Sequence, residues 1–422
     1  MIRAPIYREL KGHPFGNNWL SRLPPYTAHS SMRFFAQHSE YDATNKLRKV
    51  IFDFVSFEDH RNLVAEMGTE IGERDQGEPA ASMLSIEYVA DRHQSFQSGS
   101  WYDIPPAFFR AMRYESVRSE DQGGAFLRGA IKTRRHVDAS QFLTEPLWAQ
   151  TGESAIEFPK GTDGEIVLRV VDCGHANWNE ITTRRHRLIY DVGASRSFTT
   201  AQMHALVQRM NIGSDKRPIT VVISHWDVDH YHAILGFTPA DLKRLHHVYA
   251  PSQTPDTDTF KRVRKSLDAH GVPLHLVPPA DSDMTTGRRI VLRQVNRQGR
   301  FTTFRATPGG SRNQTGIVIG VEGKKRVALL TGDHHYEKIL DVARSSYGGK
   351  SCVLVAPHHG GLAGTPDAKD WCASFPKIQA VLSCGSNSYR HPFPEVEREL
   401  TRMQGGKVVW RTDQKGTRKI PL

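Results

Sequence analysis

Cysteine is scarce. The chain has four in 422 residues (Cys173, Cys352, Cys372 and Cys384), with no Cys-x-x-Cys pair among them. That argues against a disulfide framework, and three of the four lie in or beside apolar runs, where a small buried thiol is the plain reading. Long apolar runs are missing as well. None approaches the ~20 residues that span a bilayer, so no membrane partner is expected. The opening Met1-Ile-Arg-Ala-Pro-Ile-Tyr-Arg8 holds no stretch long enough for a secretory signal, which makes a cytoplasmic location the expectation. Acidic residues are in deficit, 45 against 56 Lys and Arg, for a formal charge of +11. A phosphate-rich partner would exploit that balance by releasing its condensed counterions. The charge is spread along the chain, so a solvated basic surface without a partner competes with that reading. Hydrophobic residues at 38% and charged residues at 24% are ordinary for a globular protein and exclude global disorder.

The length exceeds what one compact core usually absorbs, and the sequence changes character near residue 155. Residues 1–155 show one strand-like run, Lys49 to Phe57, a short helix from Glu58 to Met67, and otherwise turn-rich stretches with weak periodicity and no repeats. Neither fold nor chemistry follows for this region. Residues 160–422 alternate between strand and helix signals. Glu165–Val171 and Arg187–Tyr190 read as paired strands, Thr199–Met210 as a Ser/Thr-capped helix, and Ile219–Ile223 as a buried strand. A helix over Thr257–His270 follows, then strands near Leu274–Val277 and Ile290–Val295, and a hairpin over Thr315–Val321 and Arg326–Leu330. Val353–Val355 and Ile378–Leu382 are short apolar strands, Pro392 stands where a helix to about Met403 begins, and Lys407–Trp410 closes the sheet. Interleaved strands and helices predict a layered α/β architecture.

The chemistry concentrates in Ser224-His225-Trp226-Asp227-Val228-Asp229-His230, directly after an apolar strand. A loop leaving a strand end can turn several side chains onto one point, and four nitrogen or oxygen donors within six residues suit one or two divalent cations. Two later strands end in the same residue types: Ala328-Leu-Leu-Thr-Gly-Asp333, and Val353-Leu-Val-Ala-Pro-His-His359. A carboxylate between two cations can bridge them, and a further imidazole completes the second ion's set of ligands.

This ordered set resembles the metallo-β-lactamase superfamily, whose signature is HxHxDH, and more closely the HxDxDH variant in the hydrolase domain of ComEC-type competence DNA-uptake proteins. Asp172-Cys-Gly-His-Ala-Asn177 is similar to that family's opening D-V-G-Q-G-D strand, and Leu188-Ile-Tyr-Asp-Val-Gly193 to its L-I-D-T-G turn. Thr331-Gly-Asp333 matches T-G-D, and Pro357-His-His-Gly360 matches H-H-G-S. Ser383 to Pro392 resembles S-x-G-x-N-x-Y-G-H-P, and Arg411 to Gly416 resembles R-T-D-x-x-G. There are departures. His175 and Asn177 stand for Gln and Asp, Tyr231-His232-Ala233 replaces paired glycines, no third-motif histidine occurs over Thr307–Asn313, and the membrane-spanning parts of the uptake proteins are missing.

The resemblance implies an αββα metallo-β-lactamase sandwich over residues 160–422, with residues 1–155 as an N-terminal extension. It implies that His225 and Asp227 hold one ion, that Asp229, His230 and His358 hold the other, and that Asp333 bridges them. Asp191, and the second of the paired imidazoles, His359, would support these ligands from behind. A carboxylate at Asp227 and the missing third-motif histidine move preference toward Mn²⁺, with Zn²⁺ and Mg²⁺ also admissible. Asp229 would act in catalysis beside a metal-activated water, and His391 would serve the leaving oxygen or else cap the following helix. Arg288, Arg289 and Asn387 are the candidate substrate contacts. The arginines of 288–305 and of Arg184–Arg187 suit a phosphate backbone, or else a solvated hairpin. The function implied is a metal-dependent phosphodiesterase or nuclease acting on nucleic acid, DNA first. The alternatives are hydrolysis of a small molecule (a cyclic nucleotide, phosphoester or lactone) and a binding module that keeps the fold, with the N-terminal region contacting a protein partner.

Overall fold

The computed structural model describes residues 31–42, 46–66, 81–91, 94–110, 113–118, 127–137, 139–146, 155–158, 164–281, 289–309, 311–364, 366–387 and 390–422. The chain divides into two compact units, Met1–Asp75 with Ser82–Leu147, and Gln76–Ala81 with Trp148–Leu422. Among the described residues no helix is long and apolar enough to cross a membrane.

The first unit, which offered one strand and one helix to sequence reading, is built on a seven-stranded sheet. Its order is Arg113–Arg118, Leu127–His136, Met83–Val89, Leu47–Phe54, Met32–Asp42, Ser100–Ile104, Leu143–Pro146. All neighbours are antiparallel except Met83–Val89 beside Leu127–His136. Alternate residues of the central strands (Phe34 and Ala36, Val50, Phe52 and Phe54, Leu84, Ile86 and Tyr88) share one core with Phe96, Tyr102 and Phe109. Phe52 meets Phe96 edge-on, with centroids 4.8 Å apart. Such a ring contact adds about 0.5–1.5 kcal/mol beyond the area it buries.

The second unit holds two seven-stranded sheets. The first runs Leu274–Val277, Leu245–Pro251, Ile219–Val222, Arg187–Val192, Trp178–Thr182, Val167–Val170, Arg418–Pro421. Its first four strands are parallel and its remaining pairs antiparallel. In the second sheet, Leu292–Gln298, Phe301–Ala306, Ile317–Glu322 and Arg326–Leu330 are antiparallel, and Ser351–Val355, Ile378–Leu382 and Trp410–Arg411 continue in parallel. Four strands escaped the sequence reading, Leu245–Pro251 of the first sheet among them. Trp178–Thr182 separates Val167–Val170 from Arg187–Val192, Phe301–Ala306 pairs with Leu292–Gln298, and Arg418–Pro421 returns to the edge of the first sheet.

One core fills the space between the sheets: Leu168, Leu188, Val222 and Tyr249 from the first, with Ile317, Ile319, Leu330, Val355 and Val381 from the second. The outer face of the second sheet is covered by helices Tyr336–Tyr347, Ala368–Ser374 and Pro394–Met403. Helices Thr200–Met210 and Asp258–Ala269 connect parallel strands of the first sheet, so they lie on its remaining face. The former is capped by Thr199 in a capping box with Gln202 and buries Met203, Leu206, Val207 and Met210, one stripe at helical spacing. The layering is αββα, the fold class that the sequence resemblance predicts. Cys173, Cys352 and Cys384 are buried free thiols, and Cys372 is exposed.

Candidate metal centre

The parallel strands of both sheets point their carboxyl ends to one side, where open α/β sheets place their ligands. Strand Ile219–Val222 is buried on all four residues and leads into the His/Asp loop. Trp226 anchors that loop by donating Nε1–H to Pro251 O (2.7 Å) and by packing edge-on against Tyr231 and Phe260. Asp227 stands at the N-cap of the short helix Val228–Tyr231 yet makes no capping bond with its side chain. Its Oδ2 lies 3.5 Å from His225 Nε2 instead.

Behind this loop, Asp191 occupies a bulge. The register between Arg187–Val192 and Trp178–Thr182 slips at this residue, and its φ is +60°. A bulge re-aims a side chain. Here the carboxylate accepts from Ser224 N (2.6 Å), from Ser224 Oγ (2.9 Å) and from His230 Nδ1 (2.9 Å). With its proton held at Nδ1, His230 keeps the Nε2 lone pair for the cavity. Gly193 lets two backbones meet here, because a Cβ at this position would lie 1.8 Å from Asp229 O.

From the second sheet, Thr331-Gly332 turns the end of Arg326–Leu330 toward the same point. Gly332 has φ +53°, and a Cβ there would come within 2.8 Å of Ser224 Cβ and Oγ. Asp333 then stands between the imidazoles: Oδ1 lies 3.3 Å from His230 Nε2, and Oδ2 lies 3.6 Å from His225 Nε2 and 3.7 Å from His358 Nε2. After strand Ser351–Val355, His358 and His359 both adopt left-handed backbone, φ +53° and +55°. Adjacent side chains normally point apart. Two successive left-handed residues let both face inward, and such strain clusters at functional sites. His359 donates Nδ1–H to Ser383 O (2.9 Å), leaving Nε2 aimed at Asp229 Oδ2, 3.6 Å away.

Among the described residues, two groups of donors fall within 4.8 Å of one another: His225, His230 and Asp333, and Asp229, His230 and His359. All five residues are buried. Nε2 of His225, His230 and His359 and Oδ1 of Asp333 make no well-formed hydrogen bond, an expensive state for buried polar atoms. Two donors each ~2.1 Å from a tetrahedral ion are about 3.4 Å apart, close to the separations seen here. The donor set therefore fits a divalent cation, and His230 belongs to both groups.

Electrostatics agree with the geometry. Burial favours neutral carboxyls, yet Arg196 and the imidazoles of His359 and His230 hold Asp229 well below the usual carboxylate range. Burial is likewise outweighed at Asp333 by His230, His358 and His225. At His230, burial favours the neutral ring, but Asp333 and Asp191 raise it well above the ordinary imidazole value. His175 goes the other way, lowered by burial and by its neighbours His359 and His391, so it is neutral.

Several expectations change at this point. His359, assigned a supporting place, stands with Asp229 and His230, whereas His358, expected beside them, stands against Asp333 on the His225 side. Asn387 is not free for substrate. Its Nδ2 donates to Gly385 O and His391 O (both 2.8 Å) and its Oδ1 accepts from His391 N (3.0 Å), so it shapes the 385–391 loop. His391 does not cap the next helix, which begins at Pro394 with Phe393 as its cap. Its ring lies 5.1 Å from His358 and 5.4 Å from His175. Arg289 is exposed, and Arg288 lies outside the described residues. Arg305 and Arg187 leave the proposed basic grooves. Arg305 is fully buried and donates to the carbonyls of Thr315, Gly316 and Val277. Arg187 is buried against Glu180 (2.6 Å) and Asp215 (3.2 Å). Two site residues were missed. Arg196 pairs with Asp229 at 2.9 Å, and His175 packs on His359 at 4.7 Å. The departure of His175 from the family's Gln was the one signal for the latter, and Arg196 left none.

The fold and site together define a four-layer αββα protein with a buried histidine–carboxylate centre. No known protein family and no curated protein matches the chain in sequence. Solved structures do show likeness. The metallo-β-lactamase fold protein YhfI from Bacillus subtilis is 13% identical, covers 61% of this chain and all of its own, and has a TM-score of 0.35. The short form of human tRNase Z, ELAC1, is 12% identical over 61% of this chain and all of its own, with a TM-score of 0.34. A protein of unknown function from Enterococcus faecalis is 9% identical over 58% of this chain and 69% of its own, with a TM-score of 0.26. Likeness this distant does not speak to activity, which rests on the chain's own residues.

Proposed function

We propose that this chain is a metal-dependent hydrolase of phosphodiester bonds, with nucleic acid, DNA first, as its substrate, in the manner of the ComEC-type domains its motifs resemble. The observation that carries the metal-dependent part is the convergence of five buried donor residues from three strand ends into two groups that share His230, with Nε2 of His225, His230 and His359 and Oδ1 of Asp333 making no well-formed hydrogen bond. In this reading His225, Asp227, Asp333 and His358 serve one ion, and Asp229, His230 and His359 serve the other, with Asp333 shared between them. Mn²⁺ or Zn²⁺ suits the mixed nitrogen and oxygen donors. When bound, such ions supply Lewis acidity, an activated water and charge neutralisation at phosphorus. Asp191 and Ser383 O fix the imidazoles that hold them. In this reading Asp229 would orient the attacking water, and His391, whose ring lies beside that of His175, would pass a proton to the leaving oxygen. The formal charge of +11 draws a polyanion toward the site.

Metal-free protein reloaded with Mn²⁺ or Zn²⁺ should cleave single- or double-stranded DNA, and Asp333→Ala should not. Equal traces from wild type and Asp333→Ala across both metals and all nucleic acids would refute the reading. One observation favours a competing substrate: no imidazole or carboxylate of the centre is more than 8% exposed, which suits a small phosphoester or lactone entering alone. Turnover of a cyclic nucleotide or an aryl phosphodiester, with intact DNA beside it, would select that alternative.

A further inference from the structure

We infer that Arg196 makes the two cation positions unequal, so that the one served by Asp229, His230 and His359 holds its ion at least tenfold more weakly than the one served by His225, Asp227 and Asp333. This rests on the metal reading above and adds to it a residue that no donor motif contains.

The two carboxylates have different partners. Asp333 faces His225, His230 and His358, all imidazoles. An imidazole can shed its proton and become a ligand, so each of these charges is exchangeable for a metal. Asp229 differs. Its Oδ1 accepts from Arg196 Nη2 at 2.9 Å, and a guanidinium neither deprotonates nor ligates. A dication on the other oxygen of Asp229 therefore arrives beside a fixed positive charge. Solvent screens that repulsion poorly, because the Asp229 side chain is 2% exposed and that of Arg196 only 13%. Nor can the arginine readily withdraw, since its loop is held by Ser195 N donating to Cys173 O (3.1 Å) and by Phe198 N donating to Ser195 O (2.8 Å).

His230 belongs to both donor groups, yet Nδ1 is committed to Asp191 and Nε2 has a single lone pair. One ion alone can take it. Beyond the shared Asp333, the Asp229 position keeps three donors of its own only if His230 serves it, and then one of them, the Asp229 carboxylate, is already neutralised by Arg196. If His230 serves the other position, Asp229 and His359 are left as its own pair.

The test is calorimetric titration of the full metal-free chain with Mn²⁺, comparing wild type with Arg196→Ala, Arg196→Gln and Arg196→Lys. Wild type should show one tight event and a second at least tenfold weaker, or too weak to resolve. Arg196→Ala and Arg196→Gln, which remove the charge, should tighten the second event at least tenfold and leave the first unchanged, which also reports that the chain is folded. Arg196→Lys, which keeps the charge, should retain the gap. Two equal events in wild type, or an undiminished gap in both uncharged variants, would overturn the role of Arg196 while leaving metal binding intact. A wild-type chain that takes up no Mn²⁺ at all would overturn both.

Discussion

Two buried charge clusters of the second unit are balanced in opposite ways. On the first sheet, Arg187 and Glu180 are almost wholly buried, and Asp215 and Arg217 close the group: Arg187 reaches Glu180 at 2.6 Å and Asp215 at 3.2 Å, and Arg217 reaches Asp215 at 2.7 Å. Every acid there meets a guanidinium that belongs to the chain. At the strand ends, three aspartates and four histidines crowd together, with Asp333 facing imidazoles and Asp229 paired with Arg196. The first arrangement is complete as folded. The second holds concentrated donors whose natural complement is a cation from outside. Burial alone does not separate a structural cluster from a functional one, whereas the source of the balancing charge does.

Asp333→Ala should break the contrast most severely. It removes the carboxylate that faces His225, His230 and His358, and hydrolysis should fall at least a thousandfold in a steady-state assay, with the secondary structure unchanged by circular dichroism. Arg187→Ala is its counterpart on the other side of the comparison. Truncating one partner of a buried network costs about 3–5 kcal/mol, so denaturant unfolding should show that loss while bound metal per folded chain stays constant. Asp191→Ala tests the support behind the ligands. Metal affinity should drop about 10–100-fold, measured by competition with a chromogenic chelator, because His230 loses the acceptor that fixes its proton at Nδ1.

The smallest effect should be Asp215→Asn, and it carries a pH signature. Burial works against the Asp215 carboxylate, but hydrogen bonds from Arg217 and the charges of Arg217 and Arg187 override it and lower its pKa to about 2. A depressed folded value means stabilisation present in full above the ordinary carboxylate range and lost as pH falls toward about 2. The variant should therefore be less stable than wild type by about 1 kcal/mol at neutral pH, and the difference should close as unfolding is followed down to pH 2.

How much of this was legible in sequence divides along the same physical lines. The donors sit directly after apolar strands, so Ile219–Val222 and Arg326–Leu330 announced the segments that structure brings together. Asp191 was placed by its turn motif, although its bulge was not. The exchange between His358 and His359 could not be read, because it depends on two consecutive left-handed residues that no side-chain pattern encodes. The pairing of Arg196 with Asp229 joins residues too far apart for any local spacing to record. In the first unit, Leu47–Phe54 is buried along six successive residues, and that apolar run made it the one strand there that the sequence announced. Short edge strands such as Arg418–Pro421 carry too few apolar residues to announce themselves.

The claim beneath the comparison is that the strand-end cluster is built for a cation that the chain does not itself supply. Mass-spectrometric metal content, measured on full-length wild type and Asp333→Ala after equilibration with Mn²⁺ or Zn²⁺ and exhaustive dialysis, reads it most directly. At least one equivalent retained by wild type and lost from Asp333→Ala is the predicted result. Background metal in wild type, or the same content in both proteins, would contradict it.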